Sequence, residues 1–365
     1  MAQLQARCLT RATNRKAKER MSEHRPLILI ADPEPRTVAM IFEPAVMEKL
    51  RSLGRVRIHA DGQRLGDTEL AADLAEATIV IGQIDLPSDR LSKMPKLKAV
   101  FNVEGNFFPN VDYGYCLERG IHVLNVSPVY ATAVAETAFG MAMDLARQIT
   151  STHEMFRTAS ESWGLASNKD SFLLTGCNVG IVGLGDLGTA LRRMLAPFRC
   201  KVRAYDPWLS ERVIMERDCV PSTLDEVLSR SRIVFLFAGS TVENQGFIGA
   251  KELERMQRGS ILLLMSRAGI VDFSALEEAI GEGRIRAGID VFPVEPLPSD
   301  APIRKMNDVI LSSHRSGGMA ESFFEIGRLV VADTELVLRG LPPQVCRRAE
   351  RETVLKLRSR PVSES

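Results

Sequence analysis

Short apolar runs alternate with amphipathic stretches along most of this chain. The run Leu27-Ile28-Leu29-Ile30 reads as a buried strand. Beyond it the pattern predicts a helix over 45–53, a strand over 56–59, a helix over 67–75, and strands over 78–81 and 97–101. A helix over 113–119 leads to a strand over 122–124. Residues 129–149 form one long helical pattern with Val134, Ala138, Met141 and Leu145 on one face, long enough to cross from one domain to the next. A polar segment over 150–178, which includes Trp163, separates this half from a second alternation. That half has strands over 201–205, 233–237, 261–264, 287–291 and 309–311, a helix over 273–280 and a last helix over 321–338. Strands alternating with helices imply parallel sheets covered on both faces. The 365 residues are enough for two such domains. The expected fold class is therefore α/β, with two doubly wound parallel-sheet domains.

The second alternation opens on Val179-Gly180-Ile181-Val182-Gly183-Leu184-Gly185-Asp186-Leu187-Gly188, an apolar strand, a glycine turn and a helix start. Gly183, Gly185 and Gly188 fit G-x-G-x-x-G: a tight turn, a bare backbone for a pyrophosphate, and close packing of helix on strand. Leu191, Met194, Leu195 and Phe198 give the following helix one apolar face. The next strand, 201–205, ends at Asp206, which lies 18 residues past Gly188. A carboxylate there suits the adenosine ribose hydroxyls and repels a 2′-phosphate, which favours NAD over NADP.

Composition adds exclusions. Net charge is +1, so no nucleic-acid partner is implied. Six cysteines (Cys8, Cys116, Cys177, Cys200, Cys219, Cys346) include no C-x-x-C pair, which argues against a metal site or disulfide framework and for a reducing, cytoplasmic setting. No apolar run is long enough to span a membrane. Residues 1–25 are basic, with Arg7, Arg11, Arg15, Lys16, Lys18 and Arg20. That composition allows a transit peptide. A disordered extension, or a start at Met21, is the preferred reading.

Three later residues carry the expected chemistry. Arg267 follows a strand end in Ser266-Arg267-Ala268-Gly269, Glu295 follows Asp290-Val291-Phe292, and His314 follows the strand over 309–311. Ligands of open α/β sheets bind beyond the carboxyl ends of strands. A nicotinamide oxidoreductase leaves hydride chemistry to the cofactor. It needs a cation for the substrate carboxylate, which arginine supplies bidentately. It also needs an acid/base that titrates near neutrality, and a carboxylate that orients it. Alone, each residue has an ordinary structural explanation; order and strand-end placement make the set.

With these residues in view, the chain resembles the D-isomer-specific 2-hydroxyacid dehydrogenase family from about residue 27 to 341. The resemblance rests on Leu174-Thr175-Gly176 leading into the glycine motif, Tyr205-Asp206-Pro207, Ser266-Arg267, Ile270-Val271-Asp272, Glu295-Pro296-Leu297-Pro298 and His314, with Val134-Ala135-Glu136 matching the interdomain helix. It implies Arg267, Glu295 and His314 as catalytic residues. It implies NAD held by Gly183, Gly185, Asp186, Leu187, Gly188, Asp206, Ala238, Thr241 and Asp290. It implies substrate contacts from Glu104, Gly105 and Arg267, an active site in a cleft, and a homodimer. The implied division is a first part of a flavodoxin-like substrate domain over 26–127, a Rossmann NAD domain with its crossover helix over 128–319, a return to the substrate domain over 320–345, and a charged, fraying tail over 346–365. Formate dehydrogenase is disfavoured because that branch has glutamine at the Glu295 position.

Some positions depart from the family pattern. Asp186 brings a carboxylate into the glycine loop; Leu264, Ala268, Ser313, Phe237 and Gly239 also differ. The loop Asn102-Val103-Glu104-Gly105-Asn106-Phe107-Phe108 holds no cation, and Gln83 stands near where phosphoglycerate dehydrogenases carry an arginine. A phosphorylated substrate needs cationic partners, so a non-phosphorylated 2-hydroxy acid is expected. The rival reading is an NAD(H)-gated, corepressor-like binding protein on the same fold, since fold alone does not fix function.

Overall fold

The computed structural model describes residues 25–60, 67–354 and 356. They divide into two compact units: the described residues up to Ser127 with those from Phe323 to Val354, and the residues Pro128–Ser322 with Lys356. Of the basic extension expected over 1–25, only Arg25 lies within the described residues; it donates to the carbonyls of Arg51 and Ser52, both at 2.7 Å.

The first unit is built on β1 (Leu27–Ala31), β2 (Arg55–His59), β3 (Ala77–Ile81), β4 (Ala99–Asn102) and β5 (His122–Asn125). These strands are parallel, in the order β5-β4-β3-β1-β2. Every residue of β1 and β3 is buried, as expected of strands covered on both faces. The edge strand β2 instead carries Arg55 and Arg57, which pair with Glu76 and Asp73 of the helix Asp67–Glu76. From β1 the chain goes first to one side and later to the other, so the switch point of this sheet lies between β1 and β3. Gly82, just past β3, makes that junction close: a Cβ there would sit 1.8 Å from the Ala31 carbonyl oxygen.

The chain returns to this unit through the helix Ala320–Leu338. The expected charged tail does not fray over 346–354. Asp333, fully buried on that helix, accepts from the backbone N–H of Gln344 (2.7 Å), Val345 (3.2 Å) and Cys346 (2.8 Å). This capture delivers Arg347–Arg348 as an antiparallel strand on the free edge of β5, and Ala349 and Val354 into the core. Charge density misled the sequence reading: the arginines stay exposed while the backbone between them pairs.

The second unit holds β6 (Asn178–Val182), β7 (Lys201–Tyr205), β8 (Val220–Pro221), β9 (Ile233–Leu236), β10 (Ser260–Leu264), β11 (Ile285–Ile289) and β12 (Val309–Leu311). All pair in parallel, in the order β12-β11-β10-β9-β6-β7-β8. The single helix expected over 129–149 is broken. A 3₁₀ turn, Ser127–Tyr130, precedes the helix Ala131–Arg147; Gln148 is left-handed (φ 54°), and a second helix, Ile149–Arg157, follows. Ala135, Ala138, Ala142 and Ala146 line the buried face and let the first helix sit close to the sheet. β11 starts two residues earlier than its apolar pattern suggests. Arg286 lies inside it, buried, because its guanidinium donates to three carbonyls, those of Leu145 (2.6 Å), Asp170 (3.3 Å) and Gly259 (3.2 Å). A buried arginine is tolerable only with its donors satisfied in this way. Among the described residues no helix is long and apolar enough to cross a membrane.

The Asp333 capture is testable. Asp333→Ala leaves three backbone donors without their charged acceptor and is expected to lower stability by about 3 kcal/mol in denaturant unfolding. Asp333→Asn keeps an acceptor and should lose less.

Candidate active site

The carboxyl edge of the second unit's sheet collects the expected residues. Gly183 follows β6 and Ala238 follows β9, across that sheet's switch point. Gly183 has φ +91°, and a Cβ on it would lie 2.5 Å from the Ala238 amide nitrogen. Only glycine allows both the turn and the contact. Gly188 packs as tightly, since its Cβ would meet the Gly183 carbonyl oxygen at 2.6 Å. Gly185 differs: it is exposed, and nothing lies within 4 Å of a Cβ placed on it. Protein packing therefore does not require this glycine; an incoming ligand would. It is the N-cap of the helix Asp186–Leu195, whose first ladder bond runs from Thr189 to Gly185. The N–H groups of Leu187 and Gly188 precede that ladder and face the anion-attracting end of the helix.

Asp206 follows β7. One carboxylate oxygen accepts from the Leu184 N–H at 2.9 Å and the other from Trp208 N–H at 3.0 Å, so the acid is locked onto the glycine loop. Arg217, which the sequence reading missed, donates to the Leu184 carbonyl from the other side. These features fit a dinucleotide: open backbone at the helix start, and a fixed carboxylate beside it. Asp186 stands in the first helical turn, where its charge suits the helix dipole although it opposes a pyrophosphate.

Three adjacent strands carry the candidate chemistry. Arg267 lies three residues past β10 and donates to the Ser266 carbonyl at 2.6 Å. Ser266 in turn donates to the Ala238 carbonyl at 2.8 Å, tying this loop to the end of β9. Glu295 and His314 follow β11 and β12, and they meet: His314 Nδ1 lies 2.6 Å from Glu295 Oε2. Glu295 Oε1 accepts from the Phe292 N–H at 2.9 Å, which fixes the carboxylate. The pair remains open to solvent, with His314 48% and Glu295 36% exposed.

His314 sits at φ 51°, a left-handed conformation unusual for histidine. Asp290 holds it there. Its carbonyl accepts from His314 N–H at 2.8 Å, and its buried carboxylate accepts from Arg315 N–H (3.2 Å) and Ser316 N–H (3.3 Å). The resemblance implied a cofactor contact for Asp290; in the structure its carboxylate serves the histidine loop. Thr241 is likewise turned inward, exchanging bonds with Asn244 in the loop after β9.

Residues 139–316 match the family described as D-isomer specific 2-hydroxyacid dehydrogenase, NAD binding domain. A glyoxylate reductase of Korarchaeum cryptofilum is 32% identical over 256 residues, 69% of this chain and 76% of that protein. The chain belongs to the D-isomer-specific 2-hydroxyacid dehydrogenase family. D-3-phosphoglycerate dehydrogenase of Mycobacterium tuberculosis is 29% identical over 317 residues, 86% of this chain but 57% of that protein. A solved phosphoglycerate oxidoreductase from Rhizobium etli is 41% identical with a TM-score of 0.81, covering 90% of this chain and 100% of that one. The chain thus spans little more than half the length of the phosphoglycerate dehydrogenases it matches. The glycine loop, Asp206 and the Arg267, Glu295 and His314 loops all fall inside the dehydrogenase family's NAD-binding domain.

The other expected substrate contacts lie in the first unit. Glu104 and Gly105 follow β4. Glu104 is ion-paired with Arg36, 3.0 Å away, and the Arg36 guanidinium stacks 4.4 Å over the Phe323 ring. Arg36 was missed in the sequence, although it follows β1 as Arg267 follows β10. Gln83 bridges the loops after β1 and β4, donating to the Glu34 carbonyl (2.8 Å) and accepting from Val103 N–H (3.3 Å).

Two substitutions separate fold from cofactor. Gly183→Ala meets backbone at once and should destabilise the unit. Gly185→Ala should leave melting unchanged yet weaken NADH binding by about tenfold or more in a fluorescence titration, because the added methyl fills the space over the helix start. Unchanged NADH affinity in Gly185→Ala would remove the glycine loop as the cofactor site.

Proposed function

We propose that this protein is an NAD-dependent oxidoreductase that interconverts a D-2-hydroxy acid and its 2-keto acid. The observation that carries the proposal is the Glu295–His314 pair, held at 2.6 Å on the same sheet edge as the glycine loop and Arg267. The unit Pro128–Ser322 holds the dinucleotide. Gly183, Gly185, Leu187, Gly188 and Asp206 bind the cofactor, and Arg267 binds the substrate carboxylate. When bound, the nicotinamide gives or takes the hydride at carbon 2. Because Nδ1 of His314 faces Glu295, Nε2 is the nitrogen left for the reacting oxygen. In reduction, imidazolium Nε2–H protonates the carbonyl oxygen while Nδ1–H stays on the carboxylate. In oxidation, neutral Nε2 takes the hydroxyl proton. Asp290 acts through the His314 backbone and is a positioning residue.

A non-phosphorylated substrate is favoured. The segments after β1, β3 and β4 (32–36, 82–86 and 102–108) carry Asp32, Glu34, Asp85 and Glu104 against Arg36, and Arg36 already faces Glu104.

NADH oxidation with glyoxylate, hydroxypyruvate, pyruvate, an aromatic keto acid and phosphohydroxypyruvate tests this reading. Turnover of a non-phosphorylated member is expected, with a loss of about 100-fold or more in His314→Ala. NADH binding without any turnover would instead favour a nucleotide-gated binding protein.

The protein also pairs with a second copy of itself. Ile149, Met155, Phe156, Trp163, Leu165 and Leu173 are exposed large apolar residues, with the Phe156 and Trp163 rings 6.3 Å apart, and they are the candidate contact residues. Light scattering should give a dimer mass, and the double substitution Trp163→Asp, Leu165→Asp should give a monomer.

A further inference from the structure

We propose that Glu104 sets the charge class of the substrate: by pairing with Arg36, it turns away 2-keto acids that carry a second anionic group. This inference rests on the dehydrogenase reading above and assigns the selectivity to one contact.

The pair stands where topology puts a ligand. Sites in open α/β sheets lie beyond the carboxyl ends of strands at the switch point, which in the first unit falls between β1 and β3. Arg36 reaches the edge from the loop after β1, and Glu104 from the loop after β4. Gln83, after β3, ties both loops together. The ion pair is mostly shielded, with Arg36 18% and Glu104 17% exposed, so water screens it weakly. Stacking on Phe323 at 4.4 Å fixes the guanidinium.

A guanidinium held rigid in this way is a ready anion anchor. The Glu104 carboxylate occupies that role from within the protein. An incoming phosphate or distal carboxylate must displace it or accept its repulsion, with Asp32, Glu34 and Asp85 adding to the same sign on neighbouring loops. Discrimination of this kind works by penalising the wrong ligand more than by rewarding the right one. Removing the Glu104 charge while leaving Arg36 in place converts the pair into an open cationic site.

Hydroxypyruvate and phosphohydroxypyruvate differ only in the phosphate, so their affinity ratio reads this site directly. Calorimetry with NAD⁺ present gives both dissociation constants without turnover. In the wild-type protein the phosphate is expected to bring no gain. In Glu104→Gln the ratio should move by about tenfold or more toward the phosphorylated acid, and the further change Arg36→Met should abolish that gain. Glu104→Ser serves as the second variant and must shift the ratio in the same direction; circular dichroism and NADH binding check that each variant is folded. An unmoved ratio in the folded variants, a gain that survives loss of Arg36, no binding of either acid to the variants, or a wild-type protein already selective for the phosphorylated acid would each overturn the proposal. The two readings separate cleanly. The expected ratios without turnover in the keto-acid panel keep this assignment and remove the catalytic one, whereas turnover with an unmoved ratio does the reverse.

Discussion

The end of β6 and the end of β9 approach more closely than any side chain permits, and the carboxyl edge of the second unit is arranged around that contact. Phe237 N–H donates to the Val182 carbonyl, and Gly183 then lies against the Ala238 backbone. From Ala238 a bond from Ser266 fixes the Arg267 loop. On the other side, the Leu184 N–H fixes Asp206. One tight junction thus sets the spacing between the residues suited to the dinucleotide and the first residue suited to the substrate.

The histidine is organised separately, by Asp290. Its carbonyl and both carboxylate oxygens are spent on three successive N–H groups, 314 to 316. The cost of a left-handed backbone at His314 is offset there, by bonds within the same domain. Bonds within one unit thus position the candidate acid/base and its carboxylate, and groups fixed by the protein in this way contribute most to a rate.

Legibility followed sequence distance. The strand, glycine loop, helix, second strand and Asp206 form one local unit, so pattern and spacing sufficed to read them. Glu295 and His314 were legible as residue types after strands, but their contact spans 19 positions and appears only in three dimensions. Arg36 and Glu104 are farther apart still, and nothing local marks an arginine in Asp-Pro-Glu-Pro-Arg as belonging to a distant loop. Arg286 misplaced a strand because a charge inside a sheet looks like its end until its carbonyl partners are known. The last residues looked frayed because Asp333, which anchors them, lies in another element and reads as an ordinary helical acid.

The division of the chain has a consequence for how it is made. The second unit is continuous from Pro128 to Ser322 apart from Lys356, whereas the first needs residues from both ends. A ribosome adding about 10 residues per second takes roughly 20 s between Ser127 and Val354. For that interval the five strands of the first unit wait without the helix Ala320–Leu338 and the edge strand Arg347–Arg348 that complete their packing. The inserted unit can fold meanwhile. The unit whose strands come first is thus completed after the inserted one, when Arg347–Arg348 closes its β5 edge.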